Sequence, residues 1–420
     1  MSGAVITVMA GLIVCYALVA RRLTFANVTA PMLSVVAGLV FFAASSVDIN
    51  ADFVHAMAEV TLVIILFHDA STVRFSQLRH DPGIALRLLA IGFPLALLVT
   101  CLVAGSLLPA LGASGAWLIA AAITPTDAGL GAPTVLNPVV PVRVRRGLNV
   151  ESGLNDGLAT PIVLMALGVL AEREHAPIPG LLGIGVLSVL LALGCAIVLA
   201  WVTAWLLDRS RQRHLSGRRG RQIAALFLPA VLFGVAELIG ANAFIAAFVG
   251  GLVFGAASTT LAEEPETAGL LETAADLLGF VVWFLFGGLL LLVFAGGLKW
   301  QWVVIAVLAL TVLRVIPVAL AMIGTGFQWR TVVFLGWFGP RGLATIVFGL
   351  LALEELGPNS PFIDDVGGVM AVTVILSVFA HGFTSGPLSQ AYGEWVKRTN
   401  APIGVEPSVE PMSSRGRTGH

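Results

Sequence analysis

Charge is what this chain of 420 residues lacks. Only 11% of it is Asp, Glu, Lys or Arg, against 58% hydrophobic residues and a mean hydropathy of +0.96. That balance excludes an ordinary soluble domain, and no internal stretch is long or polar enough to form one. Lysine is nearly absent, with Lys299 and Lys397 the two examples, so the basic groups are arginines. The three cysteines, Cys15, Cys101 and Cys195, all fall inside apolar runs and have neither disulfide-framework nor metal spacing. A net charge of −1 gives no reason to expect a nucleic-acid partner. The N-terminus has no basic residue ahead of its apolar run, which therefore reads as a first transmembrane helix and not a cleaved signal peptide.

What the chain does have is a succession of apolar runs of about 18–25 residues, the mark of an all-α polytopic membrane protein. Thirteen are expected, at 3–20, 30–46, 53–71, 84–108, 114–136, 147–170, 180–207, 222–239, 242–258, 274–294, 301–323, 331–353 and 366–386. The run at 242–258 is short, so twelve is the competing count. Arginines cluster after odd-numbered runs: Arg21, Arg22, Arg74, Arg79, Arg143, Arg145, Arg146, Arg330 and the stretch 208–222. Loops after even-numbered runs hold Arg173 and Lys299. The positive-inside rule then puts the N-terminus outside and the C-terminus in the cytoplasm of a multi-pass cell (inner) membrane protein. The acidic loop 259–276 reads as a solvated surface segment, with a cation-attracting mouth as the alternative. Thirteen runs also suit two inverted six-helix repeats, 1–172 and 222–390, joined by a linking helix at 180–207. A membrane domain over 1–390 would leave a short disordered tail at 391–420, rich in Pro, Ser and Gly.

Two runs are interrupted. The fifth contains "ITPTDAGLGAP", where Pro125 removes a backbone donor and Gly129, Gly131 and Pro133 follow. Carbonyls and amides over Thr124–Asp127 would be left without helix partners unless they line a wet cavity or coordinate an ion. The twelfth run breaks at Gly339-Pro340, with Arg341 next. Interrupted segments at matching positions of two halves point to a transporter's binding site.

Between them lies "GLNVESGLNDGLATP". On a helix Ser152 and Asp156 share a face and Asn155 adjoins it, while Glu151 points about 140° from Asp156. An intramembrane carboxylate costs at least ~2.5–3.5 kcal/mol unless neutralised or hydrated. Glu151 therefore needs a permanent partner, Arg341 first and Arg314 second. Asp156 has no evident dedicated base and can resolve its charge by binding a proton or a metal cation, one at a time. Near the end of the third run, His68 and Asp69 are expected to be a solvated or backbone-bonded pair, with a proton relay as the alternative and Asp69 close to a cation's path. His381, Asp276 and Glu237 read as structural.

The stretches "ITPTDAGLGAPTVLNPVVPVRVRRGLNVESGLNDGLATPIVL", "FIAAFVGGLVFG" and "GWFGPRGLATIVFGLLALEEL" resemble the monovalent cation:proton antiporter-1 family, the NhaP/NHE-type sodium/proton antiporters. The resemblance runs to about residue 390. It implies a homodimer of thirteen-helix protomers with crossed discontinuous helices, and no enzyme activity or cofactor. It implies that Asp156 carries the ion and the proton, with Asn155 its neighbour and Ser152 and the backbone near Thr126 as further ligands of the transported cation. Asp127 belongs to the unwound-helix motif and Glu151 to a structural ion pair. Asp69 matches a family acid less well, because "FHDAS" departs from the commoner Glu-Gly-Gly pattern.

The Asn-Asp pair implies electroneutral exchange of one cation for one proton, a role in sodium transport and pH homeostasis. One titrating carboxylate carries the same charge with either ligand, so membrane potential drops out. Each pH unit then balances a tenfold cation gradient, about 1.4 kcal/mol. Na⁺, then Li⁺, is the expected ion, with K⁺/H⁺ antiport or an uncoupled cation channel as alternatives. An aspartyl protease built on Asp127 and Asp156 is disfavoured because neither has a Gly-x-Gly-Asp context.

Overall fold

A backbone crossing lipid must satisfy its own N–H and C=O groups, and long apolar runs do so as helices. The computed structural model describes residues 3–45, 47, 51–73, 83–174 and 181–399, and among these there is no strand. Arg74, Arg79 and the chain beyond residue 399 lie outside them. In chain order the helices are α1 (Gly3–Phe25), α2 (Ala30–Ala44), α3 (Ala51–Thr72), α4 (Gly83–Leu107), α5 (Gly112–Ile123), α6 (Ala128–Val135) and α7 (Val142–Glu174). There follow α8 (Leu181–Gln212), α9 (Arg218–Leu238), α10 (Ala243–Ala257), α11 (Gly269–Val293) and α12 (Trp300–Ala321). Then come α13 (Trp329–Trp337), α14 (Leu343–Leu356) and α15 (Ile363–Thr399). Helix thus occupies every apolar run, the fifth and twelfth as the pairs α5/α6 and α13/α14. Among the described residues nine helices are long and apolar enough to cross a membrane, and α2 and α10 are shorter apolar ones.

Small residues let these helices approach closely, as expected where lipid removes the hydrophobic drive between them. A Cβ on Gly38 of α2 would strike the Phe284 carbonyl of α11, and one on Gly287 would strike the Val35 carbonyl in return. Gly251 and Gly255 of α10 lie on the carbonyls of Phe67 and Ser71 in α3. On α8, Ala192, Ala196, Ala200 and Ala204 recur every four residues and are fully buried, while Leu190, Val198, Trp201 and Trp205 are exposed. A helix with an alanine seam inward and bulky apolar groups outward is one that meets lipid.

Two features depart from expectation, and a third gains detail. The last helix continues to Thr399, because Tyr392 stacks on Phe334 at 4.0 Å and Val396 is buried, so 391–399 is packed helix and not tail. Helix α12 breaks at Thr311, whose φ and ψ are −120° and −96°. Pro317, lacking an N–H, cannot donate to Leu313, which weakens the helix just after that break. The acidic loop is the surface segment expected, with Glu263 and Glu266 exposed, and it is tied down by hydrogen bonds and ion pairs. Asp208 accepts from the amides of Thr259 and Thr260 at 2.9 and 2.8 Å, Arg211 reaches Glu263 at 2.6 Å, and Arg221 reaches Glu264 at 2.7 Å. Arg218 pairs with Glu266. The loop is stapled to the ends of α8 and α9.

Packing at Gly287 yields one prediction: Gly287→Leu should destabilise the protein by about 1–3 kcal/mol through overpacking. Gly194→Ala, which meets open space, should leave the melting temperature in detergent unchanged. The loop yields another. The Arg221 hydrogen bond holds the Glu264 carboxyl below its ordinary 4.5. Its contribution is therefore complete above pH 4.5 and lost as pH falls through the lowered value. Hydrogen-exchange protection over 259–268, taken relative to the intrinsic rate at each pH, should fall on acidification below that point, and also at high salt, which screens exposed pairs.

Candidate functional site

Four helix ends meet where the two interrupted runs cross, and each end brings unpaired backbone groups and a partial charge. Asp127 caps two N-termini at once: its carboxylate accepts from Leu130 N at 2.9 Å in α6 and from Leu343 N at 2.8 Å in α14. Its own amide donates to the Pro340 carbonyl at 2.8 Å. Gly342 is required here, since a Cβ would overlap the Asp127 carboxylate. The C-termini are capped from the other direction. Arg341, 1% exposed, donates through Nε to Ile123 O at 2.6 Å, through Nη1 to Gly339 O and through Nη2 to Ala309 O at 3.3 Å. Thr345 Oγ1 donates to Ala122 O at 2.8 Å, His381 Nε2 lies 2.9 Å from Trp337 O, and Ser377 Oγ accepts from the Arg341 amide at 2.6 Å.

That arrangement corrects the expected ion pair. Arg341 does not reach Glu151, because its fork is occupied by carbonyls at the ends of half-helices. Glu151, fully buried, is held bidentately by Arg314 at 2.5 and 2.7 Å. Arg314 lies in the first turn after the Thr311 break, and that break offsets it from the α12 segment before it. The second-choice partner is the real one, and the break that places it has no strong signal in "LTVLRVIP".

The polar face of α7 meets the unwound segment. Thr126 Oγ1 lies 2.8 Å from Ser152 Oγ, and Asn155 Nδ2 donates to Thr126 Oγ1 at 2.7 Å. Asn155 Oδ1 is buried with no hydrogen-bond partner among the described residues. Asp156, 4% exposed, continues the Ser152 face, and its backbone carbonyl accepts from Thr160. Two glycines bring neighbours close: the Phe248 ring covers Gly157, and the Asp69 carbonyl lies against Gly153. So Thr126, Ser152 and Asn155 form one oxygen-rich cluster with Asp156 on the same helix face.

Asp127 and Asp69 stand apart from that cluster by role. Asp127 serves the helix ends as a cap. Asp69 Oδ1 is 3.0 Å from His68 Nδ1, and His68 is 1% exposed, so this is a buried pair and not the solvated one expected. Sequence reading missed the capping roles of Ser377, His381 and Thr345; the i,i+4 spacing of Ser377 and His381 was the available signal. Among the described residues no group of three His, Cys, Asp or Glu is arranged to hold a resident metal.

The buried pair is testable by itself. Glu151→Gln should cost about 3–5 kcal/mol of stability, since Arg314 would remain buried and charged. Glu151→Gln combined with Arg314→Gln should recover part of that loss in a thermal melt.

Residues 8–391 match the sequence profile of the family described as sodium/hydrogen exchanger, transmembrane. The chain is 24% identical over 315 residues to a Na⁺/H⁺ antiporter of Schizosaccharomyces pombe, spanning 68% of this chain and 67% of that protein. A Na⁺/H⁺ antiporter of Saccharomyces cerevisiae is 24% identical over 273 residues, 62% of this chain but only 27% of that protein. The structure of the sodium proton antiporter MjNhaP1 from Methanocaldococcus jannaschii superposes with a TM-score of 0.68, covering 96% of this chain and 99% of that one at 19% identity. The last comparison shows a shared fold. With a profile match over nearly the whole chain, the protein belongs to the sodium/hydrogen exchanger family of transmembrane proteins.

Proposed function

We propose that this protein exchanges Na⁺ for H⁺ across the cell membrane, one for one, with both ions competing for Asp156. The observation that carries the reading is the Thr126–Ser152–Asn155 cluster beside Asp156 at the crossing of two broken helices. Two hydroxyls, an amide oxygen with no hydrogen bond and a carboxylate are hard oxygen donors suited to a small monovalent cation. When Asp156 is ionised, it and these oxygens replace part of the cation's hydration shell. When it is protonated, the charge that holds the cation is gone, and the cation leaves. Glu151 takes no part in the exchange, because Arg314 fixes its charge. Asp69 flanks the route from α3.

Binding alone moves nothing across a membrane, so the site must open to each side in turn. The crossed half-helices are the elements that would shift together, since Asp127 and Arg341 tie their ends into one body. The carrier holds the same charge with Na⁺ or with H⁺, and voltage therefore does not enter the driving force. The arginine bias of the loops supports an external N-terminus and a cytoplasmic C-terminus. The homodimer remains part of this proposal, supported by the resemblance to the family.

The test is reconstitution in liposomes with an internal pH dye. External Na⁺ should drive proton movement at any clamped potential, and Asp156→Asn should abolish it at unchanged melting temperature. A response to K⁺ but not Na⁺ would replace the ion and keep the mechanism. Proton movement that appears only when an ionophore collapses the voltage would sink coupled exchange.

A further inference from the structure

Arg145 is a buried cation that none of the functions above employs. It sits in the first turn of α7, is 5% exposed, and among the described residues no hydrogen bond or ion pair holds its guanidinium. A guanidinium does not shed its proton to escape burial. Among the described residues its Nε is buried without a hydrogen-bond partner, and a guanidinium so placed, with no acid beside it, is complemented most favourably by an anion. From the helix repeat, Arg145 lies about 16 Å from Asp156 along the α7 axis, so whatever it holds is separate from the ion site.

Its surroundings favour a phosphate. Arg145 side-chain bonds lean toward the helix N-terminus, where the first-turn amides of a 33-residue helix add partial positive charge. Arg143 and Arg146 flank it in sequence and add positive charge to this helix end, and the Arg143 guanidinium lies 5.9 Å from the centre of the Phe327 ring. The Val139 backbone just ahead of α7 touches Gly393 of α15. Nearby on that helix Trp395 stacks with Arg330, which also faces Trp329, at 5.6 Å in each case. Glu394, the nearby acid, is turned to Arg398 at 3.6 Å. Tryptophan rings interleaved with arginines mark a membrane–water boundary, where basic pockets between helices receive lipid phosphates.

We propose that the start of α7 is a binding site for a phosphate-bearing anion, with Arg145 as the residue that holds it. The chemistry is shared by an anionic lipid headgroup and by free phosphate, and the experiment separates them.

The full-length protein, purified in neutral detergent, is melted in the presence of short-chain phosphatidylglycerol, short-chain phosphatidylcholine or inorganic phosphate. Phosphatidylglycerol should raise the melting temperature saturably and phosphatidylcholine should not. Saturation by inorganic phosphate at similar concentration would support the site and name the soluble anion as its ligand. Arg145→Gln should weaken the response at least about tenfold, whereas Arg145→Lys should stay within about threefold of wild type. Equal responses to the two lipids together with no response to phosphate, or a wild-type response in Arg145→Gln, would overturn the proposal. Should Arg145→Gln not fold, native mass spectrometry of the wild type decides. Retention of phosphatidylglycerol over phosphatidylcholine, or of bound phosphate, supports the site, and retention of neither overturns it. Neither readout depends on transport.

Discussion

Interrupting a helix inside a membrane exposes peptide groups that no water can satisfy, and the rest of this structure depends on how that is resolved. Asp127 and Arg341 divide the work by sign. The carboxylate accepts from the amides that open α6 and α14, and the guanidinium donates to carbonyls at the ends of α5 and α13. Each charge meets the helix poles of opposite sign, so two buried charges and four poles compensate one another. The unwound segment at Thr124–Asp127 is stable because of that compensation. The oxygen cluster on Thr126, Ser152 and Asn155 exists because that segment is unwound.

A second charge pair holds the face of α7 in register. Glu151 and Arg314 are fully desolvated and bidentate, so neither charge is available for binding. Asp156, five residues further on, points elsewhere on the helix. Two carboxylates on one helix thus differ by geometry: Glu151 is committed to Arg314, while Asp156 lies on the Ser152 face of the helix. Burial of both would be unfavourable without that separation of roles.

Much of this was legible from residue order. Pro125 and the Gly339-Pro340 pair announced where helices must end, because a missing donor is a local property. The i,i+4 relation of Ser152 and Asp156 needs only the helical repeat. The resemblance of "VESGLND" and "GPRGL" to a known family pointed to the candidate site without coordinates. The ion pairs of the acidic loop were not legible, because the partners of Glu263, Glu264 and Glu266 lie more than 40 residues away on α8 and α9.

By itself, then, the sequence determined that this is a many-times-crossing helical membrane protein with two broken helices and a carboxylate-bearing helix between them. Composition, periodicity and backbone chemistry act over a few residues and are written in order along the chain. Tertiary structure decided which arginine neutralises Glu151, that Asp127 is a cap, that His68 is buried and that residues 391–399 pack as helix. Those outcomes turn on which groups face one another across helices, and a one-turn break at Thr311 was enough to place Arg314 where Arg341 was expected.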